Sequence, residues 1–279
     1  MSLSSIARTT ARCFSLIAEV LHRQGRIEWA RAACRMGLIC DNDSVELRRL
    51  LALATCDGEH YRSILSALHR ALHPRVYLEI GTLYGETLEL ADKGTFSIAV
   101  DPRPQINRAF SNDVTIFAET SNCFFRRWDD RPGLSWRKVD LTFIDGLHLF
   151  EQALEDFFNA EMRSAPGAVI VLHDVLPADE RTASRAQHPD WWTGDVWKMI
   201  PALRKYRPDL QLILAAAAPT GLLIVTSVSP PSQFPRENVE QIAAEFASLD
   251  FGWYQREIAA GLDDAARTSD EVLRRMRAT

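Results

Sequence analysis

Cysteine is scarce in this chain of 279 residues, and no two cysteines stand in the C-x-x-C spacing. The five are Cys13, Cys34, Cys40, Cys56 and Cys123. A zinc site or a disulfide framework needs cysteines in paired spacings. We therefore expect reduced thiols in a cytoplasmic protein, where each cysteine serves as a small buried hydrophobe.

Two further absences exclude whole classes of function. The longest apolar run, Leu210–Ala218, is the length of a strand, whereas a membrane span needs about 18 apolar residues. Positive charge is also limited, because the formal net charge is −5. A protein that neutralises nucleic-acid phosphates usually carries a basic excess. We therefore expect neither a membrane span nor a nucleic-acid partner.

Helical periodicity dominates the first part of the chain. Apolar residues recur at helical spacing, and Gly25 marks a break between two helices. Asp43 or Ser44 can cap a third helix, and Glu59–Leu72 has the pattern of a fourth. These signals predict that residues 1–72 form a helical N-terminal extension.

Beyond Arg75 the sequence alternates short apolar runs with helical stretches. This alternation indicates a parallel sheet that helices cover on both faces. Only residues 216–221 join the last two runs, which is too short for a parallel crossover, so those strands should pair antiparallel. The predicted fold class is α/β, a Rossmann-like, doubly wound, mostly parallel seven-stranded sheet with an antiparallel last strand. The expected strands are Val76–Ile80, Phe96–Val100, Val114–Ala118, Leu141–Asp145, Ala168–Leu172, Leu210–Ala215 and Leu222–Ser227, and the expected helices are Glu86–Ala91, Ser121–Trp128, Phe150–Arg163 and Val196–Tyr206.

These patterns divide the chain into three parts. The helical extension covers residues 1–72 and the sheet covers residues 73–230. A C-terminal helical tail covers residues 231–279, in which Gln233–Pro235 leads into one or two helices.

The loop after the first strand carries an acid and two glycines. An open parallel sheet binds ligands at the carboxyl ends of its strands, and this strand ends in Glu79, Gly81 and Gly85. Gly81 lets the backbone turn, and the N–H groups of a helix starting near Gly85 suit a carboxylate or a phosphate. Asp101 ends the second strand and can accept hydrogen bonds from ribose hydroxyls.

Two ligands compete for this loop. A dinucleotide site wants G-x-G-x-x-G, but this loop has G-x-x-x-G and lacks the middle glycine. Glu79 would repel a diphosphate but can pair with a cationic amino-acid end. A glycine turn that serves only helix packing is the other interpretation. The combination of Glu79, Gly81 and Asp101 at strand ends favours a ligand that joins a nucleoside to an amino acid.

Acids and histidines follow the fourth and fifth strands. Asp145 and His148 come after the fourth strand, and His173 and Asp174 end the fifth. These strands are neighbours in a doubly wound sheet, so we expect the four side chains to converge in one cleft. A carboxylate at the end of an apolar strand is costly unless it is solvated, paired or bound to a metal.

The chain resembles the class I S-adenosylmethionine-dependent methyltransferases in Val76–Gly81, Gly85 and Asp101. Its Asp145–His148 and His173–Asp174 motifs are similar to the branch of macrocin-type O-methyltransferases and cephalosporin-hydroxylase-like proteins. The resemblance covers about residues 70–228 and implies a methyltransferase domain over 73–230. It also implies S-adenosyl-L-methionine as cofactor, with Glu79, Gly81, Thr82, Tyr84, Gly85 and Thr87 near its methionine part, Asp101 at the ribose, Glu119, Thr120 and Ser121 at the adenine, and Asp145 and Gly146 near the reacting centre.

For methyl transfer to oxygen, the protein must hold the acceptor hydroxyl in line with the methyl group and the sulfur, and it must remove the hydroxyl proton. His148 is the candidate base because the ordinary pKa of histidine is near neutral, His173 is the second candidate, and Asp174 is also expected to be catalytic. Related O-methyltransferases often bind Mg²⁺ here, which implies Asp145, His173 and Asp174 as metal ligands. The histidine departs from the oxygen ligands that Mg²⁺ prefers. A different metal, a two-carboxylate site with waters and a site without metal therefore all stay open.

Tryptophans cluster between residues 191 and 198. We expect Trp192 and Asp195 to form a wall over the acceptor, with Lys198 offering a further polar contact. Trp197 should instead pack on the inner face of its helix.

The main hypothesis is an S-adenosylmethionine-dependent O-methyltransferase that acts on a hydroxyl of a small-molecule or sugar-containing acceptor. Tailoring of a secondary metabolite or a surface glycan fits the branch by analogy. One alternative is a non-catalytic or assembly protein that keeps the fold. Another is an NAD-dependent oxidoreductase, against which the missing middle glycine argues. The N-terminal extension would cap the cleft or build the interface of a homo-oligomer.

Overall fold

The computed structural model describes residues 3–188, 192–228 and 238–278. They form a seven-stranded sheet in the order β3-β2-β1-β4-β5-β7-β6. β7 runs antiparallel to both of its neighbours, and the other pairs are parallel. The predicted fold class is therefore confirmed. The strands are β1 Val76–Ile80, β2 Phe96–Val100, β3 Asp113–Phe117, β4 Val139–Ile144, β5 Ser164–His173, β6 Gln211–Ala215 and β7 Leu222–Val228.

Ten α-helices are present in the described residues. Four precede the sheet, as predicted, and the Ser44 side chain caps the third by accepting a hydrogen bond from Leu47 N–H. Three follow the sheet where one or two were expected; Gln233–Pro235 and the 230/231 boundary lie outside the described residues. The helices are α1 Leu3–Arg23, α2 Ile27–Cys40, α3 Val45–Thr55, α4 Tyr61–Leu72, α5 Ser121–Arg126, α6 Phe150–Arg163, α7 Met199–Tyr206, α8 Asn238–Phe246, α9 Phe251–Glu257 and α10 Ser269–Arg277.

Two apolar cores cover the two faces of the sheet. All five residues of β1 are buried, and successive side chains point to opposite faces. Leu78 packs with residues of α5, α6 and α7, whereas Tyr77 packs with residues of α4 and α10. α4 thus lies on the sheet even though the sequence assigns it to the extension. The division into three parts stays a prediction.

The first three helices form a smaller core of their own. An ion pair connects this core to the loop after β5, because the guanidinium of Arg48 contacts the carboxylate of Asp179 at 3.0 Å. Arg48 is only 1% exposed, so the contact is sheltered from water.

The five thiols are free, as expected, but they are not all buried. Cys34 and Cys56 lie in the core, whereas Cys13 is exposed on α1. In the described part of the chain, no helix is both long enough and apolar enough to cross a membrane.

The crossover from β1 to β2 departs from the prediction. In place of a helix over Glu86–Ala91 the structure has a single 3-10 turn, Leu88–Leu90. Gly85 adopts a φ of +74°, and the preceding residues wrap around the carboxylate of Asp101.

Candidate active site

A cavity of about 700 Å³ opens at the carboxyl ends of the parallel strands. This size lies within the range of small-molecule sites. Loops after β1 to β5 line it, together with Tyr61 of α4. Glu79, Gly85 and Glu119 are not among the lining residues. Of the predicted cofactor residues, the lining includes Gly81, Thr82, Tyr84, Thr87, Asp101, Thr120, Ser121, Asp145 and Gly146.

The glycine turn after β1 fits tightly against the loop after β4. Gly81 has a φ of +83°, and a Cβ there would lie 1.9 Å from the carbonyl oxygen of Asp145. Any other residue would therefore clash with backbone and be strained. The turn brings two strand-end loops together, which is the cradle that a nucleoside-bearing cofactor needs.

Asp101 organises this turn from the end of β2. Its Oδ2 accepts hydrogen bonds from the N–H groups of Thr82 and Leu83 at 3.0 and 2.9 Å, and its Oδ1 accepts from Arg103 N–H. The N–H groups of the turn itself are thus directed at Asp101. Each carboxylate oxygen can accept more than one hydrogen bond, so contact with ribose hydroxyls is compatible with this arrangement.

Glu79 lies behind the turn and is fully buried. The Tyr77 hydroxyl donates a hydrogen bond to its Oε2 at 2.7 Å. Burial raises the pKa of Glu79 to about 8, against the opposing effect of hydrogen bonds from Tyr77, Thr87 and Thr82. The side chain is therefore mostly uncharged at neutral pH. Its contact with an amino-acid end stays a prediction.

The predicted adenine residues divide into two groups. Thr120 and Ser121 line the cavity at the start of α5, where the Thr120 hydroxyl accepts a hydrogen bond from Cys123 N–H. Glu119 instead forms an ion pair with Arg131, whose guanidinium lies 4.4 Å from the centre of the Phe117 ring. Glu119 is thus engaged away from the cavity.

The four side chains expected after β4 and β5 do converge. His148 Nε2 lies 3.0 Å from Asp174 Oδ2 and 3.6 Å from Asp145 Oδ1. His173 Nδ1 lies 3.1 Å from the same oxygen of Asp145. Asp174 has a φ of +60°, which is uncommon outside glycine and often marks a functional site.

The backbone carbonyl of Trp192 holds His148 in one orientation. Its Nδ1 lies 2.7 Å from the carbonyl oxygen of Trp192, which can only accept, so Nδ1 carries a proton. Nε2 then faces the two carboxylates. Burial lowers the pKa of His148, but Asp174 and Asp145 outweigh burial and raise it to about 9. Without a bound cation, His148 is therefore an imidazolium at neutral pH and must lose a proton before it can act as a base.

His173 has a different environment. It is 8% exposed, its Nε2 lies 3.2 Å from the Thr220 hydroxyl, and its ring centre is 4.4 Å from that of Tyr61. Burial opposes its charge, but Asp174 and Asp145 raise its pKa well above the ordinary value. His173 is thus placed to orient Asp145.

A group that could hold a metal ion differs by one residue from the predicted set. In the described residues, ligand atoms of Asp145, His148 and Asp174 lie within 4.8 Å of one another. His173, which the sequence placed in the set, is not in this group: its Nδ1 lies 3.1 Å from Asp145 Oδ1 and 3.5 Å from Asp174 Oδ2, and its Nε2 lies 3.2 Å from the Thr220 hydroxyl. Because Nδ1 donates to the Trp192 carbonyl, Nε2 is the nitrogen of His148 that would bind a metal ion once its own proton is lost. One imidazole with two carboxylates fits a transition metal ion better than Mg²⁺.

The comparisons with known proteins agree with this geometry. Residues 55–175 match the family model described as a methyltransferase domain. This stretch includes β1 to β5 and most of the residues that line the cavity. The prediction of an S-adenosylmethionine-dependent methyltransferase is thereby confirmed at the level of family and fold, whereas the macrocin-type branch stays a prediction.

Solved structures resemble the methyltransferase domain only distantly. An O-methyltransferase from Bacillus cereus in complex with SAH is 16% identical, with a TM-score of 0.45, over 60% of this chain and 80% of that one. The O-methyltransferase TomG from Streptomyces achromogenes, involved in tomaymycin synthesis and solved with SAM, is 20% identical, with a TM-score of 0.46, over 61% of this chain and 80% of its own. These likenesses carry no conclusion about what this chain binds. The comparison with curated proteins finds no match.

Three residues were predicted to contact the acceptor, namely Trp192, Asp195 and Lys198, and the structure places one of them at the cavity. Trp192 lines the cavity, with its ring centre 5.2 Å from that of His148. Asp195 and Lys198 are buried outside the lining. Asp195 caps α6 by accepting a hydrogen bond from Phe150 N–H at 2.8 Å, and it pairs with Lys198 at 3.2 Å. Both side chains are thus engaged at the start of α6, and their contacts with the acceptor stay a prediction.

Trp197 packs in the core, as predicted, with its ring 5.9 Å from that of Trp253. Trp191 lies outside the described residues. Sequence reasoning missed Tyr61, Gln152 and Asp156, which also line the cavity. Gln152 and Asp156 are four residues apart on α6, and this spacing on a cavity-facing helix was the available signal.

Proposed function

We propose that this chain is an S-adenosylmethionine-dependent O-methyltransferase that acts on a hydroxyl of a small-molecule or sugar-containing acceptor. The observation that carries the proposal is the continuity of one cavity. The same cavity is lined by the Gly81 turn, by Asp101 and by the cluster of Asp145, His148 and Asp174. The residues expected to hold the cofactor and the residues that could accept the acceptor's proton therefore line the same cavity.

The methionine end of the cofactor would lie on the Gly81 turn, and its ribose would lie near Asp101. A sulfonium carries its own leaving group, so the protein has to orient the acceptor and accept its proton. His148 and Asp174 stand at the far side of the cavity, where the acceptor hydroxyl would arrive. Trp192 provides an aromatic face beside His148 that suits a sugar or another ring.

The His148–Asp174 pair sets the pH dependence of this chemistry. The pKa of His148 is raised to about 9, so the fraction with a free Nε2 grows as the pH rises toward that value. A divalent metal ion would supply Lewis acidity here, held by Asp145, His148 and Asp174. A metal and a proton compete for the same nitrogen, so His148 serves either as base or as ligand.

Calorimetry tests the cofactor assignment. We expect the protein to bind S-adenosylhomocysteine and S-adenosylmethionine but not NAD. Gly81→Ala should abolish that binding, because its Cβ would meet the Asp145 carbonyl, and Gly94→Ala is the matched control at a glycine with open space around it. Binding of NAD in place of S-adenosylhomocysteine would refute the proposal in favour of an oxidoreductase.

Turnover separates an enzyme from a binding protein. Methyl transfer from labelled S-adenosylmethionine should be measured with a panel of phenolic, alcoholic and glycosidic acceptors, with chelator or with Mg²⁺ or Mn²⁺. Cofactor binding without transfer to any acceptor would favour the non-catalytic alternative. Tailoring of a secondary metabolite or surface glycan, a cytoplasmic location and a homo-oligomer remain part of the proposal, and light scattering tests the last of these.

A further inference from the structure

The start of α6 contributes a second polar group to the cavity, away from the His148 cluster. Gln152 and Asp156 stand one helical turn apart and face Ser121 at the start of α5. α5 follows β3, whereas Asp174 follows β5, and β3 and β5 lie on opposite sides of β1. Asp156 therefore lies toward the end of the cavity that the nucleoside would occupy.

A hydrogen-bond network fixes the Asp156 carboxyl. The amide nitrogen of Gln152 donates to Asp156 Oδ1 at 3.0 Å, to Ser121 Oγ at 3.2 Å and to Asn122 Oδ1 at 3.0 Å. Because the Ser121 hydroxyl accepts from Gln152, its own hydrogen is available for Asp156 or for a ligand. The orientation of the carboxyl is thus determined before a ligand arrives.

The environment of Asp156 favours its uncharged form. The side chain is 1% exposed, and burial raises its pKa to about 7 against the hydrogen bonds from Ser121 and Gln152. The nearest acting charge is negative, from Glu155 on the same helix. From α5, the facing groups Ser121 and Asn122 are uncharged. The other titratable groups that line the cavity are the carboxyls of Asp101, Asp145, Asp174 and Glu86, the imidazoles of His148 and His173, and the phenols of Tyr61 and Tyr84. None of these is among the groups that shift the pKa of Asp156.

An uncharged carboxyl matches the edge of adenine. Adenine presents an N6–H donor beside the N1 acceptor, and a protonated carboxyl offers an acceptor oxygen beside an O–H donor. We propose that Asp156, as a neutral acid, recognises the N6/N1 edge of the adenine ring of the cofactor. Ser121 and Gln152 hold the Asp156 carboxyl in place. Asp156 thus takes the position at the adenine that the sequence analysis gave to Glu119. This inference rests on the proposed function.

Comparison of two cofactor analogues tests the inference. S-(1-deazaadenosyl)homocysteine has a C–H group where S-adenosylhomocysteine has the N1 acceptor, and the two share the same N6 amino group, ribose and amino-acid end. Dissociation constants for both should be measured by calorimetry at pH 6.0 and pH 8.0. Neutral Asp156 donates to N1 only in the adenosyl ligand, whereas ionised Asp156 repels the adenine N1 lone pair and accepts from the N6–H of both ligands. We expect the preference for the adenosyl ligand to fall at least about fivefold between the two pH values.

The ratio of the two dissociation constants separates the effect of Asp156 from the effects of other groups that titrate in this pH range. Glu79 and His148 also titrate near this range, but they would act equally on both ligands because they lie away from the base. Asp156→Asn is the matched variant, since an amide keeps one acceptor and one donor without titrating. It should bind S-adenosylhomocysteine within about threefold of the unsubstituted protein at pH 6.0, with a preference that does not change with pH. Asp156→Ala should weaken binding about tenfold or more.

Two outcomes would overturn the inference. The first is a preference in the unsubstituted protein that is constant from pH 6.0 to 8.0, and the second is undiminished affinity in a folded Asp156→Ala variant. Either result, with S-adenosylhomocysteine still bound, would leave the proposed function intact. Absence of S-adenosylhomocysteine binding at every pH would overturn both.

Discussion

Replacement of Glu79 by Gln should make the protein more stable, and increasingly so as the pH rises. Glu79 is fully buried, and the Tyr77 hydroxyl donates a hydrogen bond to its Oε2 at 2.7 Å. Gln retains the oxygen that accepts this bond and has nearly the same shape. The substitution therefore removes an ionisable group with little change in packing.

The magnitude follows from the pKa of Glu79, which burial raises from 4.5 to about 8. Below pH 4.5 the residue is protonated in both the folded and the unfolded chain. Between pH 4.5 and 8 the unfolded chain loses a proton that the folded chain keeps, so the free energy of unfolding falls as the pH rises. Each pH unit corresponds to about 1.4 kcal/mol. From pH 5.5 to pH 7.5, the advantage of Glu79→Gln should thus grow by about 3 kcal/mol.

Urea unfolding at pH 5.5, 6.5 and 7.5 measures this difference, with tryptophan fluorescence and far-UV circular dichroism as two probes whose transitions should coincide. Asp156 titrates in the same range, but it is present in both proteins and cancels in the comparison. Glu257→Gln, which removes an exposed carboxyl at the end of α9, controls for the loss of one charge. A Glu79→Gln advantage that stays constant across the three pH values would refute the assignment of a buried, uncharged acid.

Three further substitutions test the candidate active site and the buried contacts of Asp195. Asp101→Ala should weaken S-adenosylhomocysteine binding by about 1–3 kcal/mol in calorimetry, because a charged acceptor for the turn and for the ribose is lost; unchanged affinity would contradict the ribose assignment. His148→Ala should lower kcat about 100-fold or more while leaving the S-adenosylhomocysteine Kd within about threefold, and the rise of kcat toward pH 9 should disappear; normal turnover would remove His148 as the base. Asp195→Ala should destabilise the fold by about 3–5 kcal/mol in thermal or urea unfolding, since it leaves Lys198 buried beside an uncapped α6, and a loss of acceptor affinity without loss of stability would restore Asp195 to the acceptor site.

Much of the site was predictable because it lies at the ends of strands. Apolar runs locate strands, and in a parallel sheet the residue after each run must lie at one edge. Gly81, Asp101, Asp145 and Asp174 were identified in this way, and all four line the cavity. The antiparallel pairing of β6 with β7 followed from the short connection between them.

Residues on loops and helices were harder to place. Asp195 and Lys198 stand beside Trp192 in the sequence, yet they are directed into a buried ion pair. No periodicity specifies which side of an irregular segment faces a ligand. The same limit applies to α6, where the amphipathic pattern identifies the helix but not the presence of α5 opposite Gln152.

The amino-acid sequence by itself determined the seven-stranded sheet, the glycine turn after β1 and the convergence of acids and histidines after β4 and β5. These features depend on local patterns of apolar residues and on which residue ends each strand. Only the tertiary structure decided that His148 rather than His173 joins Asp145 and Asp174 in the group that could hold a metal ion, and that Asp156 rather than Glu119 reaches the cavity. Those outcomes depend on side-chain directions and on neighbours from distant segments, such as Trp192 and Arg131, whose positions exist only after the chain has folded.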